Sequence, residues 1–418
     1  LLFCMALWTF GMSYGQLTGI KTIPGDYATI TAAVADLNTV GVGTGGVTFN
    51  VAAGYTESTT AEIVVTATGT ATDPIIFQKD PAGVGANPLI TRTDAGVNTT
   101  STAGGLGDAV ITISAGDYIT FDGIDVTAPA STIEYGYFTT KTATNACKYL
   151  TIKNCNITMT KGTSGYVFGI YISNGTTSVS SSTGVTVTAL TGATENVTIN
   201  GNTISNVHAG IYARGSSAAG FGDNNLVIGQ AGAGNTIVNY GGGSATSTWG
   251  IYLIYQTNIS INYNTINNAG GGGTDHASTL YGIFHSTKSG NGIVSYTNNN
   301  ITLGQSSTSA AHGIYDAQTT ASKTFLNNAF AYGNFASTTS SYSIYNSNAT
   351  NDILVEGNVI SAPINKTGVG TYYFYYNFGS PTGGTETFIN NNFSNVTVTG
   401  TSALYGLYTN TAAAQNRV

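Results

Sequence analysis

Charge is what this 418-residue chain has least of: 12 Lys and Arg against 19 Asp and Glu, with 4 His, so that 7% of residues are charged and the net charge is −7. So few cations, thinly spread, build no basic patch, which argues against nucleic acid as a partner. Disorder is excluded too, because disordered chains need high charge and few apolar groups, and 41% of this chain is apolar. Proline is scarce, 7 residues against 55 glycines, and cysteine scarcer, at 3. No CxxC or Cys/His spacing suggests a metal site. No apolar run in the mature chain is long enough to span a bilayer. A long helical pattern is missing as well. Short strand-like runs between Gly and Asn turns fill the chain instead, with Thr, Ser and Asn in most polar positions, which is the composition of an all-β fold.

What is present is a repeat. Asn-x-Ile/Phe recurs at Asn202, Asn235, Asn264, Asn299, Asn328, Asn358 and Asn391, each followed by a Gly-Ile-Tyr phrase or its equivalent beginning at Gly210, Gly250, Gly282, Gly313, Ser343, Tyr373 and Gly406. A period of about thirty residues without helical patterning implies a solenoid of stacked coils. In Val197–Ile204, VTINGNTI, Val197 and Ile199 share a strand face, Gly201 and Asn202 break the alternation, and Ile204 turns inward again. Asn tolerates the left-handed backbone that such a corner needs. Stacked about 4.8 Å apart, the Asn residues are placed to hydrogen-bond to one another as a structural ladder.

The chain divides into three parts. Residues 1–15 resemble a signal peptide with a clipped start: Leu1 to Met12 is apolar but too short to cross a bilayer, and small residues Ser13 and Gly15 precede the cleavage expected after Gly15. Residues 16–45 form an N-terminal cap. Ile30, Ala33, Val34 and Leu37 fall at i, i+3, i+4 and i+7, predicting a helix over 30–38 started by Thr29, stopped by Gly41 and covering the first coil's open edge. Residues 46–418 make about twelve coils and end inside a repeat at Gln415–Val418, so further domains of the same polypeptide are expected. Cys147 and Cys155 are expected to be two small buried side chains, since the strand between them extends roughly 26 Å and a disulfide needs Cα atoms within about 7 Å.

Asp26 to Ser58, DYATITAAVADLNTVGVGTGGVTFNVAAGYTES, resembles the opening of pectate-lyase-like right-handed parallel β-helices, in which a capping helix leads through a Gly-rich turn into the first strand. GDYITFDGIDV at 116–126, LTIKNCNI at 150–157 and VTINGNTI at 197–204 are similar to β-helix repeats of large secreted surface proteins from Bacteroidota-type bacteria. The resemblance implies a secreted or outer-surface right-handed parallel β-helix. It does not choose between lyases, hydrolases, adhesins and passive stalks.

Three places offer chemistry. The first is a column two residues after each repeat Gly, Tyr171, Tyr212, Tyr252, Phe284, Tyr315, Tyr345, Tyr375 and Tyr408, which alternation sends outward on the Gly face. Such aromatics stabilise the sheet by packing on each other; exposed, they would stack against a polysaccharide or cell-surface glycan. A second column, Phe168, Ala209, Trp249, Tyr281, His312, Tyr342, Tyr372 and Tyr405, is expected on the inward Ile face.

The second place is His285 with Asp316, directly after the aromatic in successive repeats and expected side by side on the surface, a general-base pairing whose neighbours are Leu253, Asn346 and Tyr376. The third is Asp117, Asp122 and Asp125, where Asp clusters in lyases of this fold hold Ca²⁺; here alternation places them at turns, with Lys153 the nearest base, and Ca²⁺ gains no other support. No cofactor is expected. Thr186–Thr188 and Thr397–Thr399 do not recur in every coil, which leaves ice binding a minor alternative. The expectation is a glycan-binding or adhesive rod without catalysis; the alternative is a polysaccharide lyase or glycoside hydrolase.

Overall fold

A computed structural model describes residues 15–96, 108–142, 144–162, 167–175, 187–218, 220–242, 246–287, 292–333, 335–348, 350–379, 384–410 and 416–417. Residues 1–14 of the expected leader and Gln415 lie outside them. The chain is a parallel β-helix: three long sheets of thirteen, eleven and ten strands, in which every strand pairs in parallel with its counterpart one coil away. Each coil contributes one strand to each sheet in turn. The eleven-stranded sheet counts the turns at eleven, against the twelve expected, which sets a height of about 50 Å at one coil per 4.8 Å.

The helix runs over Ile30–Val40, longer by two residues than the periodicity suggests. Thr29 caps it by accepting from the Ala32 amide, and the Gly41 amide closes it on Leu37 O. Its apolar face, Ile30, Ala33, Val34 and Leu37, is buried. From the first coil, Glu57 accepts from the Ile30 and Thr31 amides at 2.7 and 3.1 Å, pinning the helix N-terminus where a carboxylate best complements the dipole. Ahead of the helix, Leu17–Ile23 adds a strand at the edge of the thirteen-stranded sheet, pairing with Val42–Val51.

From Asn202 to Asn391 one corner of each coil is held by the Asn ladder. Asn264 Nδ2 donates to Asn299 Oδ1 at 3.0 Å and to the strand carbonyl of Ile228 at 2.9 Å, and the Asn264 amide donates to the same Asn299 Oδ1 at 3.1 Å. The pattern is repeated from Asn202 to Asn391. The left-handed residue at this corner is the one before the ladder Asn, for example Gly201, Tyr263, Asn298, Asn327, Gly357 and Asn390, rather than the ladder Asn itself. The interior is a continuous stack of Ile, Val, Leu and Phe side chains, among them Phe49, Phe77 and Phe121 stacked at 4.5 and 5.3 Å. Cys147 and Cys155 are free and buried within it, and burial pushes both thiols up to about 12.

Candidate functional site: an aromatic outer face and a buried polar column

Side chains on the eleven-stranded sheet do not alternate simply. Along Thr248–Ile254, Trp249 is half-buried, Gly250 and Ile251 are both buried, Tyr252 is half-buried and Leu253 is buried. A Cβ on Gly250 would stand 2.5 Å from Ile266 Cγ2 and 2.7 Å from Gly282 O, so this glycine points into the core beside Ile251. Two consecutive inward positions turn the strand, which delivers the residues on either side to the same outer face. Trp249 and Tyr252 then stack at 4.6 Å. Both expectations about facing are therefore reversed: the repeat Gly faces inward, and the second aromatic column faces outward.

One repeat, the one counted from Tyr373, also slips by one residue, while the last, Gly406 to Tyr408, keeps its place. Tyr345 pairs with Tyr376 and Ile344 with Tyr375, so the inward glycine position is Phe374, not the one counted from Tyr373. Tyr375 is consequently a core residue with no exposure, its hydroxyl donating to Glu386 at 2.9 Å, and Tyr372 is buried against Ser343 at 2.6 Å. Tyr376 and Tyr373 take their places outside. Tyr171 and Tyr212 are covered as well, packed with Tyr135, Phe138 and Phe168 in a separate apolar cluster on the outer face of the early coils.

From the coil of Trp249 onward the face opens. Two parallel columns, Tyr252, Phe284, Tyr315, Tyr345, Tyr376 and Tyr408 beside Trp249, Tyr281, His312, Tyr342, Tyr373 and Tyr405, make an unbroken ladder. Centroids in the first column are spaced 5.0, 5.2, 4.4, 5.2 and 4.9 Å. Most rings spend their faces on each other: Tyr252 and Phe284 are inclined by only 9°, Tyr373 and Tyr405 by 11°. Tyr315 differs, lying at 82°, 89°, 74° and 68° to Tyr281, Phe284, Tyr342 and Tyr345. Its plane stands steeply across theirs, so it is not part of the parallel stack. His312 sits within the ladder, and burial pulls its imidazole down to about 3, so His312 itself is uncharged near neutral pH, while part-buried Arg214 stands beside Tyr212 and Tyr252 at the early end of the face.

His285 and Asp316 do not lie on the surface. The position after the outer aromatic points into the solenoid, and with the register corrected it reads Leu253, His285, Asp316, Asn346, Asn377. All but Leu253 are polar, and all are fully buried. Asp316 Oδ2 accepts from the Tyr296 hydroxyl at 2.7 Å and faces His285 Nδ1 at 3.7 Å; Oδ1 takes Lys323 Nζ at 2.9 Å and the Gln318 amide at 2.7 Å. Lys323 also donates to Gln318 O at 2.6 Å and Asn346 Oδ1 at 2.5 Å. Asn346 donates to Asn377, and Asn377 to Glu386. Burial alone would raise the Asp316 carboxyl, but the Lys323 charge and then His285 hold it well below the ordinary carboxylate range. Desolvation draws the Lys323 ammonium down, with Asp316 opposing.

The acidic trio caps turns. Asp117 accepts from the Lys148 amide at 2.8 Å, Asp125 from the Asn156 amide at 2.7 Å, and Asp122 from Asn154 at 2.7 Å, each holding the next coil. Lys153 reaches Asp122 at 3.0 Å across a partly exposed surface. Elsewhere Glu134, beside the Arg92–Asp108 ion pair, is pushed up to about 7 by burial. Burial likewise draws Lys161 down to about 8. Among the described residues no three His, Cys, Asp or Glu side chains gather as metal ligands, and no helix is long and apolar enough to cross a membrane.

Lys323 and Glu386 are the site residues the repeat hides. Each stands two positions before an aromatic, buried Phe325 and Phe388 packed against the core, so strand period alone would have placed them inward.

No family model matches the chain, and no curated protein matches it. Among solved structures it is similar to an alginate lyase from Paenibacillus sp. str. FPU-7, at 12% identity over 91% of this chain and 97% of that one, with a TM-score of 0.38. It is also similar to a GH136 lacto-N-biosidase from Eubacterium ramulus, at 13% identity over 92% of this chain and 66% of that one, with a TM-score of 0.44. A third is the Streptococcus pneumoniae surface protein and adhesin PfbA, at 11% identity over 92% and 96%, with a TM-score of 0.45. At such identities no residue's role passes from these proteins to this chain.

Proposed function

We propose that the chain is an extracellular β-helix rod that binds an extended glycan along the outer face of its eleven-stranded sheet and does not cleave it. The observation that carries this reading is the ladder of half-buried aromatic rings from Trp249 to Tyr408, one pair per coil. A sugar chain laid along the axis advances by about one residue per coil, so each ring pair meets an equivalent part of the ligand. Ring edges and phenol hydroxyls supply apolar contact and hydrogen bonds.

The test is a glycan-array and polysaccharide-pulldown screen with product release assayed on every hit. Retention without release, weakened about tenfold (~1.4 kcal/mol) by Tyr315→Ala, is the expected result. Release of unsaturated or reducing sugars overturns the non-catalytic reading. In that case Glu134, poised near neutrality beside Arg92 and Asp108, is the acid to mutate first.

A further inference from the structure

Deep inside the solenoid an amine, a carboxamide and a carboxylate stand together, all buried from the surface. Lys323 Nζ lies 2.5 Å from Asn346 Oδ1 and 2.9 Å from Asp316 Oδ1, and the three residues are at most 1% exposed. Three strands bring them together. Asp316 and Asn346 are register partners on adjacent coils of the eleven-stranded sheet, and Lys323 projects toward them from the facing thirteen-stranded sheet, between Val294 and Ile353. Tyr296 and Phe325, stacked at 5.2 Å, close the apolar surroundings.

A buried lysine is expensive to keep as an ion, and its cost is only partly offset by one carboxylate. The same arrangement is set up for acyl transfer: a nucleophile and an acceptor held together at high effective concentration, with a proton carrier touching the nucleophile. We propose that Lys323 and Asn346 join in an intramolecular isopeptide bond that staples two adjacent coils, with Asp316 as the catalytic proton carrier. This inference does not rest on the glycan-binding reading.

The step balances without an oxidant or cofactor. Asp316 takes one proton from the Lys323 ammonium, and the free amine attacks Asn346 Cγ, forming the Nζ–Cγ bond. A second Nζ proton is relayed to Asn346 Nδ2, the Cγ–Nδ2 bond breaks, and ammonia leaves. The first proton stays on Asp316. A buried ion pair is thereby exchanged for a neutral amide and a neutral carboxylic acid, which removes two charges from a low-dielectric interior. Asn346 rather than Asp316 is the acceptor because the carboxylate is held ionised by Lys323, His285 and the Tyr296 hydroxyl, and a carboxylate anion is a poor electrophile. Loss of the ammonium on reaction is also what allows Asp316 to keep the proton.

The experiment is the intact mass of the full chain, purified and denatured, followed by tandem mass spectrometry of its tryptic digest. The expected mass is lower than that of the sequence by one ammonia, with no cleavage after Lys323 and a branched peptide joining Lys323 to Asn346. Asp316→Asn, checked for folding by circular dichroism, is expected to retain the ammonia and regain cleavage after Lys323. A wild-type chain of unreduced mass with Lys323 cleaved overturns the proposal. So does an ammonia loss that maps elsewhere, or a water loss that joins Lys323 to Asp316.

Discussion

Asn235 Oδ1 accepts two hydrogen bonds from Asn202, one from its backbone amide at 3.1 Å and one from its side-chain amide at 3.0 Å. Each rung therefore satisfies a corner amide that no strand pairs, and passes the same service to the next coil. Removing one rung in the middle is costly. Asn264→Ala orphans the buried Asn235 amide and the Ile228 carbonyl, at roughly 1–3 kcal/mol for each group. Asn264→Asp is expected to be at least as destabilising although it is nearly isosteric, because a carboxylate then confronts the acceptors Asn299 Oδ1 and Ile228 O. Chemical denaturation of both variants measures this, and a milder Asp than Ala would contradict it.

Gly313→Ala is expected to destabilise by about 1–3 kcal/mol, the usual cost of overpacking. Its Cβ would stand 2.5 Å from Ser343 O and 2.6 Å from Phe330 Cδ1, and the first of these is backbone that has no rotamer to yield. Since the inward Gly is also what brings Tyr315 to the outside, the variant should lose glycan retention along with stability. Retention preserved in a destabilised chain would separate the bend from the platform.

Tyr375→Ala and Tyr376→Ala distinguish the observed register from the one-residue alternative. Tyr375 is a core residue, and its truncation is expected to cost about 3–5 kcal/mol. Tyr376 is half-buried on the ladder, so its truncation should cost little stability and weaken glycan retention. A thermal melt beside a pulldown reads both, and the opposite pattern would restore the register counted from Tyr373.

The solenoid, the helix and the Asn corners were legible in the sequence because each rests on local chemistry: period two in strands, i/i+4 on the helix, and a corner residue recurring once per coil. The site was legible only in part. In the run Tyr372 to Tyr376 every residue is aromatic, so no alternation marks which rings face inward; Asn377 pairing with Asn346 settles it. The Gly–Ile bend was hidden for another reason, since glycine shows its direction only through what a Cβ would strike on the next coil. The burial of His285 and Asp316 was within reach of the sequence, since each directly follows an outward aromatic, Phe284 and Tyr315, and strand alternation turns the next residue inward.

Acidity should separate one buried carboxyl from the rest of the molecule. Asp223 accepts from Gln256 at 3.0 Å, the Thr194 amide at 2.9 Å and Asn174, yet burial outweighs these bonds and pushes it up from 3.8 to about 7. A carboxyl raised in the folded state binds its proton more tightly there than in the unfolded chain. Its contribution therefore favours folding at acid pH, declines as pH rises from about 4 to about 7, and is fully lost above that. His208 and His276, which burial pulls to about 4, act in the opposite sense, favouring the folded state above 6.5 and penalising it as pH falls toward 4. The wild-type profile mixes these with Glu134, which burial also raises to about 7, but the difference between wild type and Asp223→Asn isolates the one carboxyl. That difference should move in favour of the variant between pH 5 and pH 7, by an amount on the order of a few kcal/mol, and then level off. Denaturant melts at four pH values across this window suffice, and a difference that stays constant from pH 5 to pH 8 would show that Asp223 does not titrate there in the folded chain.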